Sequence, residues 1–251
     1  MKKVSLLFFL AINISQTYAE GIPQRYTELL PYVQRAPDQG ETNACLFMAS
    51  TGAMELIANK KYDIKNPVPN GTYDLAESFL INAPGHPSGN GKYFWEQAVL
   101  KFNIGYGISA ADWPFDAWDG PYEDMTPWSY ENWSVFKKIQ LPKIETIPLF
   151  ILGNKWSTNI LNDGHIKTIK EALFKYQSPI LVNYNDNYFW HVVLIVGYDD
   201  NMPGECYEIS DQECGDVGSF YVRDSFGIKI EIRDYDWFKI KGNASFVVKE
   251  K

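Results

Sequence analysis

The sequence predicts an α+β protein, either one domain or two small lobes with a cleft between them. Three observations lead there. Once an export leader is set aside, roughly 230 of the 251 residues remain, enough to bury a substantial core. One run, with Leu46, Phe47, Met48, Ala49, Ala53, Met54, Leu56 and Ile57, has helical spacing and so many apolar positions that the helix reads as buried. The C-terminal part then supplies β-branched runs of strand length.

Residues 1–19 read as the removable leader. Lys2 and Lys3 form a basic start, and Val4 to Ile14 is an apolar run short of the roughly 18 residues a membrane helix needs. Thr17-Tyr18-Ala19 sets small residues at the positions a signal peptidase reads. No other segment approaches membrane-spanning length. The mature chain is therefore expected to be secreted or periplasmic, and off the membrane once the leader is gone. Its net charge of −8 falls to −10 when the two leader lysines are removed. No basic stripe is present, which argues against nucleic acid as a partner. Aromatic residues make up 16% of the chain, with tryptophans clustered between Trp95 and Trp156. Such rings supply core and ligand-contact area in one residue type.

Next in order comes Gln39-Gly40-Glu41-Thr42-Asn43-Ala44-Cys45, which runs into the buried helix. A loop thus delivers Cys45 to a first helical turn, where unpaired amides and the positive dipole end favour negative charge. Thiolate is the reactive form of cysteine, so this is a place to make one. Most free cysteines, however, are only small buried hydrophobes. The cysteine arithmetic separates the two cases. Cys206 and Cys214 stand eight residues apart in a polar loop, and in an oxidising compartment they are expected to bridge. Cys45 is then the odd thiol and the candidate nucleophile.

Pro179 to Tyr184 reads as a strand, and His191-Val192-Val193-Leu194-Ile195-Val196-Gly197-Tyr198 as its central neighbour. Gly197 marks a bulge or a close approach. His191, at the mouth of a core strand, is held rigidly, as a general base must be. The other two histidines receive no role. His86 sits in a Pro-Gly loop, and His165 near the start of a surface helix with Asp163 as its cap, followed by Ile166, Ile169 and Leu173. A third strand, Ser219 to Gly227, carries Asp224 where its apolar alternation stops. A carboxylate there can reach a histidine on a neighbouring strand, fix its tautomer and stabilise its cation. On its own, an aspartate at a strand end equally well caps a turn.

In order and spacing these stretches resemble the papain-like cysteine peptidases. That family carries a glutamine, a glycine and then the nucleophile six residues after the glutamine, matched here by Gln39, Gly40 and Cys45. Its histidine strand reads much like His191 to Tyr198. Its Asn-Ser-Trp-Gly stretch has a counterpart in Asp224-Ser225-Phe226-Gly227. His191 follows Cys45 by 146 residues, inside the family span of about 130–150. Leu75-Ala76-Glu77-Ser78-Phe79-Leu80 resembles the family's Leu-Ser-Glu-Gln helix segment. Gly91 through Trp113-Pro114-Phe115-Asp116 resembles its glycine loop, helix and aromatic-proline turn. The likeness covers most of residues 36–248, and its joint order is more specific than any one piece.

The departures from the family pattern are as informative. Thr42 stands where a second cysteine is usual, and Ala83 and Gly89 where further half-cystines are expected, so the usual disulfides of the first lobe are absent together. With Thr42 and Asn43 in place of a disulfide-braced turn, the loop is expected to be more mobile than in relatives. Leu46 replaces an aromatic after the nucleophile, while Phe226 keeps one where the family has tryptophan. Asp224 replaces asparagine, and a carboxylate holds an imidazolium more strongly than an amide does. It lies 33 residues after His191. The excess falls in the loop 199–217, read as a hairpin insertion closed by Cys206 and Cys214. Lys92 stands near the family's second glycine, so substrate backbone contacts by Gly91 are expected to differ.

The resemblance implies a papain-like two-lobe fold, with a helical lobe around Cys45 and an antiparallel β-sheet or barrel lobe carrying His191. The active site lies in the cleft, and no cofactor or metal is required. Residues 1–19 are the leader, 20–35 a short N-terminal segment, and 36–251 the peptidase domain. The segment 20–35 is too short for the helical propeptide of many family members. Cys45 is the implied nucleophile, His191 the general acid–base and Asp224 its orienter; Gln39 and the Cys45 N–H are the oxyanion donors. The expected partner is a peptide or protein substrate, and the expected state a monomer. Two other readings stay open. A Cys-His-Asp order also resembles transglutaminases and arylamine acetyltransferases, which pass the acyl group to an amine. The same scaffold can also serve as a catalytically inactive binding module.

Overall fold

The computed structural model describes residues 21–40, 42, 44–82, 104–115, 136–151, 161–185, 190–204 and 218–251. The expected leader 1–19, His86, Gly91 and the expected Cys206–Cys214 bridge lie outside the described residues. In chain order the elements are β1 (Arg25–Tyr26), a 3-10 turn (Leu30–Tyr32), α1 (Cys45–Lys61) and α2 (Glu77–Asn82). The strands β2 (Tyr106–Ile108), β3 (Lys138–Gln140) and β4 (Ile144–Ile151) follow, then α3 (Asp163–Tyr176). The chain closes with β5 (Ile180–Asn185), β6 (Trp190–Asp199), β7 (Ser219–Arg223), β8 (Glu231–Asp234), α4 (Tyr235–Lys241) and β9 (Gly242–Glu250).

Six strands form an antiparallel sheet in the order β4-β9-β5-β6-β7-β8, and β1 joins the far end of β6. Successive residues Ile180, Leu181 and Val182, and Val192 through Val196, are all buried. Neighbouring residues on a strand face opposite ways, so both faces of the sheet are covered at its centre. Helices α1 and α3 both pack on β5, β6 and β9. The helical lobe contains α1, α2 and the β2–β3 pair, with α2 against α1 and β2. Among the described residues no helix is long and apolar enough to cross a membrane.

Helix α1 is buried from Cys45 through Asn59, as its apolar content requires. Gly197 takes both roles open to it. The β6–β7 register shifts between Ile195 and Gly197, and a Cβ on Gly197 would lie 2.6 Å from the Tyr26 carbonyl oxygen of β1. Residues Tyr26, Leu29 and Val33 are buried, and the Tyr198 hydroxyl donates to the Pro23 carbonyl at 2.9 Å, so the N-terminal segment is packed into the body. One expectation is corrected. The cap of α3 is Asn162, not Asp163; the Asn162 side chain accepts from the His165 N–H, while His165 Nδ1 accepts from the Asn162 N–H, each at 3.1 Å. Only the residue just before the helix has the extended backbone that turns its side chain onto those amides.

A buried cation ties the lobes together. Arg223, the last residue of β7, donates from Nε to the Gln34 carbonyl at 2.8 Å and from Nη1 to the Met48 carbonyl at 2.7 Å. Its Nη2 meets Glu55 of α1 at 3.0 Å and lies 3.9 Å from Glu77 of α2. Gly52 makes room for it, since a Cβ there would be 2.2 Å from Arg223 Nη1.

Candidate active site

The loop before α1 is folded by its own polar groups. Gly40 takes the left-handed backbone, φ +56°, a conformation glycine adopts without strain, and its N–H donates to Asp38 Oδ1 at 2.9 Å. The Gln39 N–H donates to the Ser225 carbonyl at 2.8 Å, and Asp38 bridges to Phe226. The Thr42 hydroxyl donates to the Gln39 carbonyl at 2.7 Å. This hydrogen bond and the attachment to residues 225–226 give Asp38, Gln39 and Thr42 fixed partners. Cys45 then enters as the first residue of α1, behind an Ala44 that offers no side-chain cap. The N–H groups of a first helical turn have no partner within the helix itself.

His191 is the second residue of β6 and pairs with Tyr184 of β5. On the other side β7 ends at Arg223, which leaves Asp224 just past the strand. His191 Nε2 and Asp224 Oδ1 are 2.6 Å apart, both groups buried. A side-chain hydrogen bond also joins His191 to Cys45; with Nε2 committed to Asp224, Nδ1 is the nitrogen that faces the thiol. Burial works against an imidazolium here, but the hydrogen bonds to Asp224 and Cys45, and their charges, outweigh it and raise His191 to about 9. Phe226 stacks on the imidazole at 5.5 Å and 16°, and the Tyr184 ring meets it edge-on at 5.2 Å. Phe226 is 41% exposed, so it covers one face of the imidazole while remaining partly open to solvent itself.

Asp224 has partners on both oxygens. Oδ1 accepts from the Ser225 N–H at 2.7 Å as well as from His191, and Oδ2 accepts from Arg233 Nη2 at 2.5 Å. Burial would push this carboxyl up, but His191, then Arg233 and the Ser225 amide hold it below its ordinary range. Gln39 is oriented through the same residue. The Ser225 hydroxyl donates to Gln39 Oε1, and Gln39 Nε2 donates to the Thr42 carbonyl at 2.7 Å. A primary amide carries two N–H bonds, and one of them is engaged by the Thr42 carbonyl.

The structure therefore brings Cys45, His191 and Asp224 into one linked set and ties Gln39 to it through Ser225. Sequence reasoning missed Arg233. Its signal was the alternation Glu231-Ile232-Arg233, which sets two opposite charges on one face of β8, yet a period of two does not say whether that face meets water. The orienting role of Ser225 was equally hidden, because a motif position carries no partner.

No protein-family model matches the chain, and no curated protein matches it in sequence. Solved structures match it in fold. The fold defines the class first: it is the papain-like two-lobe fold. The chain is similar to recombinant stem bromelain precursor at 16% identity, covering 92% of this chain and 71% of that one, with a TM-score of 0.57. It is similar to the bromelain protease from Ananas comosus in complex with the E64 inhibitor at 16% identity, covering 92% and 100%, with a TM-score of 0.54. Xylellain, a cysteine protease from Xylella fastidiosa, matches at 14% identity over 92% and 87%, with a TM-score of 0.55.

Proposed function

We propose that this chain is an exported thiol-dependent peptidase that hydrolyses peptide bonds through a thioester on Cys45. One observation carries the reading: a cysteine at the head of a buried helix shares a hydrogen bond with an imidazole whose other nitrogen is held by a buried carboxylate. The fold neighbours described as a protease with bound E64 inhibitor and as a cysteine protease support the same class of reaction.

His191 takes the Cys45 proton to give a thiolate–imidazolium pair, favoured by the helix N-terminus and by the raised imidazole. The thiolate attacks the peptide carbonyl carbon. The oxygen, now negative, is received by Gln39 Nε2 and the Cys45 N–H, and losing one such donor costs on the order of 10²–10³ in rate. His191 protonates the leaving amine as the C–N bond breaks. It then deprotonates a water that attacks the thioester, releasing the acid and restoring the thiol. Asp224 holds the imidazole tautomer throughout.

Cys45→Ala is expected to abolish both peptide hydrolysis and covalent labelling by E-64, read by intact mass. Full hydrolysis by Cys45→Ala would overturn the reading. Release of amine conjugates instead of free acid would point to an acyltransferase, and an unreactive Cys45 to a binding module. The same measurement is expected to give a mass beginning at Glu20, with residues 1–19 removed and the segment 20–35 retained; the burial of Tyr26, Leu29 and Val33 supports the retention. A mature N-terminus well past residue 35 would contradict it.

A further inference from the structure

Asp224 stands where the resemblance leads one to expect asparagine, and the group behind it explains the choice. Arg233 is fixed on three sides. Its Nε and Nη2 donate to Glu231 Oε2 at 3.0 and 2.6 Å, its guanidinium lies 4.5 Å from the Trp237 ring centre, and its Nη1 reaches the Tyr184 hydroxyl at 3.4 Å. From that anchored position Nη2 points at Asp224 Oδ2. A guanidinium only donates, so whatever faces it at position 224 must accept. An asparagine has one accepting atom. If its oxygen takes the His191 Nε2–H, its NH2 is driven against Arg233; if the amide flips, His191 loses its acceptor. A carboxylate accepts on both sides.

We propose that Arg233 is a positioning residue for the Cys45–His191 pair, and that its immobile donor is what makes the orienting residue an aspartate. The inference rests on the peptidase reading of Cys45 and His191. Arg233 turns Oδ1 toward His191 and balances part of the charge the imidazole faces. Among the described residues, the titratable and charged groups that meet His191 and Asp224 are Cys45 from α1, Tyr184 from β5 and Arg233 from β8, with Glu231 on the far side of Arg233; Arg35 sits on the Gly227 carbonyl.

The test compares wild type, Asp224→Asn, Glu231→Gln/Arg233→Gln and the triple variant. The readouts are the rate of Cys45 alkylation by iodoacetamide against pH, and kcat/KM on a peptide. Replacing Glu231 and Arg233 together removes one charge of each sign, so no buried charge is stranded. Asp224→Asn alone is expected to lose on the order of 10–10²-fold in both rates near neutral pH, because a buried donor then faces a donor. The triple variant is expected to recover most of that loss, since the introduced glutamine can accept from the introduced amide. Glu231→Gln/Arg233→Gln with Asp224 intact is expected to move the alkaline limb upward from about 9, as a carboxylate no longer shared with Arg233 holds the imidazolium more tightly. Wild-type rates for Asp224→Asn, or a triple variant no better than Asp224→Asn, would overturn the proposal. Should the triple variant fail to fold, Arg233→Lys decides. It keeps the charge but not the planar fork, so a slower rate and a displaced limb are expected, and an unchanged profile is contrary. A wild-type Cys45 that alkylates as an ordinary thiol would sink the pair reading and this proposal together. A paired wild-type profile with indifferent variants would sink the proposal alone.

Discussion

Arg223 and Asp224 are consecutive residues, yet each enters a different buried ion cluster, and Asp224 shifts in the opposite sense to Glu55 and Glu77, the carboxyl groups that Arg223 meets. Arg223 reaches under α1, where one guanidinium serves Glu55 and Glu77 with Asp74 close by. There burial wins. Glu55 is pushed well above the usual carboxylate range by burial, against the pull of Arg223, and Glu77 is pushed up to about 7 for the same reasons. Asp224 turns the other way, between His191 and Arg233, and is held low despite equal burial. The difference is the supply of cations, one guanidinium shared by Glu55 and Glu77 with Asp74 nearby, against an imidazole and a guanidinium for Asp224 and Glu231. Burial alone therefore does not set protonation; the local cation count does.

The strongest way to break the comparison is to remove the shared cation. Arg223→Met would leave buried carboxyl groups without a counter-charge and the Met48 and Gln34 carbonyls without this donor. Removing one partner of such a buried set costs about 3–5 kcal/mol. A urea unfolding midpoint should fall accordingly with little change in slope, and a loss under about 1 kcal/mol would show that Arg223 does not hold the lobes together.

Gly52→Ala probes the same cluster with a smaller effect and an unusual sign. In a helix interior this exchange ordinarily stabilises by about 1 kcal/mol. Here the new Cβ would lie 2.2 Å from Arg223 Nη1 and 2.4 Å from its Cζ, and three hydrogen bonds keep the guanidinium from stepping aside. A net loss of about 1–2 kcal/mol is expected from the overpacking. A more stable Gly52→Ala protein would mean the guanidinium moves freely.

How much of this was legible in the sequence divides along the same line. Cys45 and His191 stood out because each sits in a short stretch whose neighbours constrain it, a helix start and a core strand, whereas Asp224 and Gln39 were singled out by the order and spacing of the family resemblance. The buried character of α1 followed from its apolar count, and the two roles of Gly197 from its place inside a strand. The partners were another matter. Glu55 stood out only as a charge within Ala53-Met54-Glu55-Leu56-Ile57, and the arginine that answers it lies 168 residues away. Arg233 was hidden for the same reason, since a pairing across the sheet leaves no periodic trace. The cap of α3 slipped by one residue because Asn162 and Asp163 are equally good capping residues, and only the backbone turn chooses between them. Thr42 read as a missing cysteine, although its hydroxyl closes the loop.

The finest test of the comparison is pH. Glu77 at about 7 in the folded chain stands against an ordinary carboxyl value of about 4.3 when unfolded. Below the unfolded value both states hold the proton and its contribution to stability is fully present. Between the two values the unfolded chain releases the proton while the folded one keeps it, so this contribution is lost as pH rises through about 7. Glu77→Gln removes that titration while leaving a polar group opposite Arg223. The stability of Glu77→Gln relative to wild type is therefore expected to improve from about pH 4.5 to 7 and then level off, read from urea midpoints across that range. Removing Glu77 also relieves Glu55, which it pushes up, so the improvement includes an easier ionisation of Glu55 beside Arg223. A difference that stays flat across the window would mean the shared cation already satisfies both carboxylates, and the contrast with Asp224 would vanish.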